Sequence, residues 1–514
     1  MAIFSLLGGF MMTAVIGIKL FAILLQDELL HSNLEAQGMV GIQKIGFERL
    51  LTLENLELRY LSFNNFNNNI LSSFTSFTSL KSLYLNGNKL NRKLNIEGFP
   101  VLRNLQYLYL DSSTLNNSFL QSIGTLTSFK ILLLCDCGLS GTIPSTKDNM
   151  FQIPISLHPF VNLSKLTYFE SGGNKIYVET EMENMIPKFQ LKTLYLFGDG
   201  YGGAFPKFLY HQYELEQVAL SNIKFRERFP YWLLDNNTNL ESFYLANNSF
   251  SEPLQLPIRS YVNLSELDIS DNSFYGHIPI QIGAYFPSLT KLKMSRSGIH
   301  CSIPNSIGNM SSLTYMDLSN NQLSGNIPNS IENMPSLYVL TLTDNDISGN
   351  LSHNHMNGSI PSWIGGLPQL GYLILSNNNF EGEIPIQLCK LNYLSVVDLS
   401  HNKLTSPIHP CLKCSSNPER TFYIGVNSIS AFMEGNLELT MKSLSLSYEG
   451  MIATYISGID FSCNNFTGNI PFQFGKLSEI KLLNLSHNSL IGPIPTTFFN
   501  LSQIESLDLS NNKL

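Results

Sequence analysis

Leucines along this chain fall into one recurring phrase, LxxLxLxxN, in which inward and outward positions alternate across the central LxL. It is spelled LKSLYLNGN ending at Asn88, LSELDISDN at Asn272, LTYMDLSNN at Asn321, LSVVDLSHN at Asn402 and IKLLNLSHN at Asn488. Alternation of that kind is the period of a strand, with two leucines pointing into a core and the residues between them pointing out. Marked by its last position, the phrase recurs at Asn64, Asn88, Ser113, Cys137, Asn174, Asp199, Ile223, Asn248, Asn272, Ser297, Asn321, Asn345, Asn378, Asn402, Asn464, Asn488 and Asn512, mostly 24 or 25 residues apart. One coil of that length cannot bury its own leucines, so coils must stack and their strands must join into a long parallel sheet. The closing Asn both donates and accepts hydrogen bonds, which suits it to the backbone groups a turn leaves unpaired. Ser, Cys or Asp at that place replaces it only in part.

A second phrase follows the Asn: LSGTIP to Pro144, YGHIP to Pro279, CSIP to Pro304, SGNIP to Pro328, NGSIP to Pro361, EGEIP to Pro385, TGNIP to Pro471 and IGPIP to Pro495. Gly allows a tight turn and Ile packs inward. Pro holds the Ile before it in extended geometry, so a short second strand or turn is expected, followed by a brief helical or 3-10 return such as Ser306 to Leu313. Two intervals are long, 37 residues from Cys137 to Asn174 and 62 from Asn402 to Asn464. One is short. Nine residues separate Asn345 from Asn354, as if most of a coil were deleted.

Composition narrows the function. A net charge of -8 on 514 residues excludes nucleic acid as the expected partner. Charged residues are only 14%, and 53 Asn supply the polar surface instead. Seven Cys in this length exclude a disulfide-built miniprotein.

The repeated unit LxxLxLxxNxLxGxIP resembles the plant-specific class of extracellular leucine-rich repeat, from about Leu53 to Leu514. The text FQIPISLHPFVNLSKLTYFESGGNKIYVE is similar to a segment of plant receptor-like proteins, and the stretch from Leu108 to Pro144 resembles their Cuscuta-receptor-like members. The resemblance implies an α/β leucine-rich-repeat solenoid, a curved horseshoe or superhelix. Its parallel concave sheet would be backed by short second strands, turns and 3-10 or helical returns on the convex side. It also implies an island domain in the long interval, with Lys442 and Tyr448 where the family has its Lys and Tyr-x-Gly, and a Cys389–Cys411 disulfide. The expected organisation is a hydrophobic signal or signal-anchor segment at 1–25, a degenerate segment at 26–52 and repeats over 53–404 with an insertion near 145–165. An island at 405–455 and repeats over 456–514, truncated at the end, complete it.

Ile3 to Ile18 are uncharged and mostly apolar, short of the roughly 20 residues a span needs. Both a cleaved signal and an anchor remain open, and with them the apoplast and the extracellular face of the plasma membrane. Sequons N-x-S/T at Asn116, Asn162, Asn236, Asn247, Asn263, Asn309, Asn350, Asn357, Asn465, Asn484 and Asn500 fit the secretory route. Family members continue beyond such a point through a cap and one membrane helix, so membrane attachment is expected through the N-terminal segment or through that further helix.

No phosphate loop or kinase catalytic phrase occurs, and no enzyme, cofactor or metal site is expected. His353-Asn354-His355 reads as a solvated loop, and Cys411-Leu-Lys-Cys414 lacks a second pair. Cys135, Cys137, Cys301 and Cys463 read as packing residues. Binding is better supported. The outward residue between the two strand leucines is aromatic or apolar early (Tyr84, Tyr109, Leu133, Tyr195, Tyr244) and acidic late (Asp268 to Asp508). Large rigid aromatics suit recognition, so those five residues form the expected ligand stripe. The acidic column reads as a solubilising row. Lys442 and Tyr448 are either ligand or co-receptor contacts or part of a plain structural insert. The resulting expectation is an ectodomain that binds an extracellular peptide or a pathogen- or parasite-derived ligand and signals, in defence or development, only through a receptor kinase adaptor or co-receptor. A secreted inhibitor of cell-wall-degrading enzymes and a non-signalling decoy or pseudogene product are the alternatives.

Overall fold

The computed structural model describes residues 205–345, 356–414 and 457–514 without a break, together with shorter stretches between 58 and 198 and the strands within 437–448. The chain divides into two compact units, Met1–Arg226 and Glu227–Leu514.

In the first unit, strands Leu58–Tyr60, Ser82–Tyr84, Tyr107–Tyr109, Ile131–Leu133, Tyr168–Gly172, Thr193–Phe197 and Gln217–Ser221 pair in parallel in that order. In the second, a parallel sheet runs from Ser242–Tyr244 through Glu266–Asp268, Lys291–Lys293, Tyr315–Asp317, Val339–Thr341, Tyr372–Ile374, Val396–Asp398, Gly458–Asp460 and Leu482–Asn484 to Ser506–Asp508. Every phrase read from the sequence yields one strand. Register is unaffected by the irregular intervals: Ile131 pairs with Tyr168 and Val396 with Gly458, as if the intervening residues were an ordinary coil. The inward leucines fix the pairing, because a slip of one residue would turn them to solvent. Leu83, Leu85, Leu108, Leu110, Leu132 and Leu134 are fully buried, each worth about 2–3 kcal/mol in removed apolar surface.

The Asn ladder forms. Asn321 Nδ2 donates to Met294 O of the preceding coil (2.7 Å) and to Leu318 O of its own (3.1 Å), while its Oδ1 accepts from the Ser297 and Ile299 amides (3.0 and 3.2 Å). Asn272, Asn402, Asn464 and Asn488 repeat the pattern. The substitutes keep the donor half: Ser297 Oγ reaches Ile269 O at 2.9 Å and Cys137 Sγ reaches Leu110 O at 3.3 Å. Just before the ladder position the backbone turns left-handed, as at Asn320 (φ 53°), Asp344 (φ 52°), Asn377 (φ 52°) and His401 (φ 50°). Asn and Asp tolerate that region best among residues with a side chain.

The Ile-Pro phrase behaves as expected except at Ile494, which is 53% exposed. Ile278, Ile303, Ile327, Ile360, Ile384 and Ile470 are buried, and each following Pro from Pro304 onward precedes a 3-10 turn, as at Asn305–Asn309, Asn329–Asn333 and Ser362–Gly366. Just upstream, second strands Asn357–Gly358, Asn379–Gly382, Lys403–Pro407, Asn465–Asn469 and Ser489–Ile491 form a five-stranded sheet.

Two expectations are corrected. The repeats do not stop at Leu404: Lys403–Pro407 is a full member of the second sheet, Ile408 and Leu412 are buried, and the coil runs on to Cys414. The excursion before strand Gly458–Asp460 therefore starts later than 405. The short interval at Asn345 adds no strand to the main sheet, since Val339–Thr341 pairs directly with Tyr372–Ile374. Cys301 is exposed and left-handed (φ 71°), unlike a packing residue. Residues 1–52, Asn116, Asn350, His353 to His355 and Lys442 lie outside the described residues.

Candidate functional site

The outward faces of the two long sheets carry the residues singled out for binding. In the first unit, strand register brings Tyr84 beside Tyr109, Tyr109 beside Leu133, Leu133 beside Glu170 and Glu170 beside Tyr195. Tyr84 and Tyr109 stack with centroids 4.2 Å apart and planes 15° from parallel, and both are half-buried, as is Leu133. Two residues earlier in the same strands, Tyr107, Ile131 and Tyr168 form a second half-buried row. Tyr107 and Ile131 were not anticipated, although the alternation that points Tyr109 outward points them outward too.

The shelf ends at two acids, Glu170, which is buried, and Asp111, which is half-buried. Glu170 accepts from the Tyr168 hydroxyl (2.8 Å) and from Cys135 Sγ (3.2 Å), and Asp111 accepts from the Cys135 amide (2.8 Å). Burial, with Glu170 nearby, pushes the Asp111 carboxyl up to about 6, and burial next to these acids keeps the Cys135 thiol protonated. Cys135 is thus an inert partner in a hydrogen-bond network.

Tyr195 and Tyr244 face outward but are nearly covered, each 5% exposed. Their hydroxyls donate to Gln217 and Glu266 respectively, on the next strand of the same unit. Of the expected stripe, Tyr84, Tyr109 and Leu133 are the accessible part.

In the second unit the acidic column is not a solvated row. Asp268, Asp317, Asp398 and Asp460 are buried, and each carboxylate accepts from the amide and hydroxyl of the Ser two residues on. Lys293 stands between Asp268 and Asp317 in register, its Nζ 3.4 Å from the Asp268 carboxylate. Beyond it Val339, Tyr372, Ile374 and Val396 form an apolar cluster on the same outward face, with Tyr315 and Tyr338 packed against it. Alternation gave the direction of these side chains but carried no signal of their burial.

Cys389 and Cys411 are joined, with Cα atoms 5.4 Å apart, and tie the coil that ends at Cys414. Tyr448 closes the antiparallel pair Leu437–Met441 and Leu444–Tyr448. Of the sequons, Asn162, Asn247, Asn263, Asn309, Asn357, Asn465 and Asn500 are exposed and none lies on a main-sheet strand, whereas Asn236 and Asn484 are half-buried. Among the described residues no group of three or more His, Cys, Asp or Glu could hold a metal ion, and no helix is long and apolar enough to cross a membrane.

Leucine-rich-repeat family profiles match residues 287–347 and 457–514, and 263–284 and 369–391. Cuscuta receptor 1 of Solanum lycopersicum is 39% identical over 147 residues, 29% of this chain and 13% of that protein. Receptor-like protein 1 of Arabidopsis thaliana is 41% identical over 170 residues, 33% of this chain and 16% of that one. The chain carries leucine-rich repeats and is similar, over about a third of its length, to plant receptor-like proteins. The matched regions span only about a seventh of those relatives' lengths. Among solved structures, the ectodomain of the Arabidopsis receptor kinase HAESA, in complex with the peptide hormone IDA and the co-receptor SERK1, matches with TM-score 0.58 at 25% identity. That match covers 91% of this chain and 75% of the HAESA chain in that structure. The PEPR1–AtPEP1 structure matches in fold alone, with TM-score 0.55 at 22% identity over 90% of this chain and 63% of that one.

Proposed function

We propose that this chain is the ligand-recognising repeat region of a plant cell-surface receptor-like protein. It takes an extracellular peptide or a pathogen- or parasite-derived ligand on the outward face of its long sheet and signals only through a partner receptor kinase. The observation that carries the reading is the half-exposed shelf of stacked Tyr84 and Tyr109 with Leu133 in register beside them. An aromatic platform of that kind buries much area for little side-chain entropy. The HAESA complex is named for a peptide hormone and a co-receptor, which supports the same division of labour here.

The test passes apoplastic peptide extract over the immobilised full chain and over a Tyr84→Ala/Tyr109→Ala variant. A peptide retained by the wild type is expected to bind the variant at least tenfold more weakly, roughly 1.4 kcal/mol or more. Equal affinity would overturn the shelf as the site. Retention of a polygalacturonase, with inhibition of its activity, would move the reading to an inhibitor of cell-wall-degrading enzymes.

A further inference from the structure

The second unit contains two outward-facing arrangements of paired carboxylates, and they are solved differently. Asp268 and Asp317 have Lys293 between them in register, and its ammonium pairs with the Asp268 carboxylate at 3.4 Å. Asp398 and Asp460 stand directly opposite one another on adjacent parallel strands, with no residue between. They are 2% and 5% exposed. Two buried carboxylates on neighbouring strands cannot both ionise cheaply, since each desolvates and repels the other.

From this geometry we infer that Asp398 and Asp460 share one proton at mildly acidic pH and that its loss towards alkaline pH loosens the two strands that carry them. The groups facing the pair are few. Ser400 and Ser462 donate from their own strands' ends (2.7 Å each from the hydroxyls), and Asn484 Nδ2 donates to Asp460 Oδ2 at 3.0 Å from the following strand. On the preceding strand stand Tyr372 and Ile374, beyond which Ser376 donates to Asp398. Among the described residues His401, exposed at the turn, is the basic group acting on Asp398, and it only partly offsets the burial that raises that carboxyl. Cys463 and Asp508 lie further along and bring no positive charge. Burial, then the Asp398 charge, pushes Asp460 up to about 7.

The sign follows. A carboxyl raised in the folded state binds its proton there while the unfolded chain, near the usual value of about 4, has lost it. The contribution is therefore most favourable at low pH and is lost as pH rises from about 4 through about 7. The strands concerned are the last before and the first after the 62-residue interval, so the loosening falls where the excursion leaves and rejoins the solenoid.

Asp460→Asn is the direct test, because Asn484 already occupies the equivalent place in the next coil and accepts the same two bonds from Ser486. Hydrogen exchange of the full chain is followed by mass spectrometry at pH 5.0 and 7.5, corrected for intrinsic rates, in peptides spanning 394–400 and 457–464. Wild type is expected to lose protection in both peptides at pH 7.5, by tenfold or more in opening equilibrium. Asp460→Asn and Asp398→Asn are each expected to abolish that difference, and Asp268→Asn to leave it intact. A pH difference of the same size in wild type and in both pair variants would overturn the inference, as would its absence from wild type.

Discussion

At the residue scale, the sharpest demand is a backbone one. Gly276, Gly325, Gly358, Gly382, Gly468 and Gly492 all take a left-handed φ of 77–93° in the second phrase, and Cys301 and Ser406 take φ 71° and 83° at the corresponding places. A side chain there costs about 1–2 kcal/mol. At Gly325 an added Cβ meets nothing closer than the Ser302 Cβ at 3.8 Å, so Gly325→Ala should destabilise by conformation alone, about 1 kcal/mol. Cys301→Gly should do the opposite. Its thiol is exposed, so relief of strain less glycine's extra unfolded entropy leaves about 0.5–1 kcal/mol of stabilisation. Denaturant midpoints of the two variants check both signs, and stabilisation by Gly325→Ala would refute the strain argument. The glycine column and the Asn ladder were legible because each is one residue type at one place. The left-handed residue before the ladder was not read, though Asn320, Asp344, Asn377 and His401 stand there in plain order, because attention to leucines ranks positions by burial rather than by φ.

At the element scale, coils are held by strands on one side and by 3-10 turns on the other, where two glycines leave no room for a side chain. A Cβ added at Gly308 would run into the Ser330 carbonyl, and at Gly365 into that of Gln387, both on the next coil's turn. Backbone against backbone cannot give way as a side-chain tip can. At Gly366, one residue on, a Cβ meets open space. Gly365→Ala is therefore expected to destabilise by about 2–3 kcal/mol, while Gly366→Ala is neutral or slightly stabilising. Equal effects in thermal unfolding would mean that coil spacing on this side is not set by the glycine. Sequence reading placed the 3-10 return after the Ile-Pro phrase from proline geometry. It could not separate Gly365 from Gly366, since only the neighbouring coil distinguishes them.

At the scale of the whole molecule, what matters is which surface is left open. The seven exposed sequons lie in turns, 3-10 ends and second strands, and the only described sequon on a main-sheet strand is Asn484. Its amide is already committed: Nδ2 donates to Asp460, and Oδ1 accepts from the Ser486 amide and hydroxyl at 3.1 and 2.8 Å. A glycan attaches at that same Nδ2, so it would take one of its two N–H donors and drive a bulky sugar between side chains of adjacent strands. Chains modified there should fail to close this coil. In folded protein expressed through the secretory pathway, glycopeptide mapping is expected to find Asn309, Asn357, Asn465 and Asn500 occupied and Asn484 bare. Sequon arithmetic treats all these sites alike, because the rule reads three residues and not the face they stand on. Occupancy at Asn484 in folded material would mean that the outward face tolerates a glycan, and with it the argument that this face is kept clear for a ligand would fall.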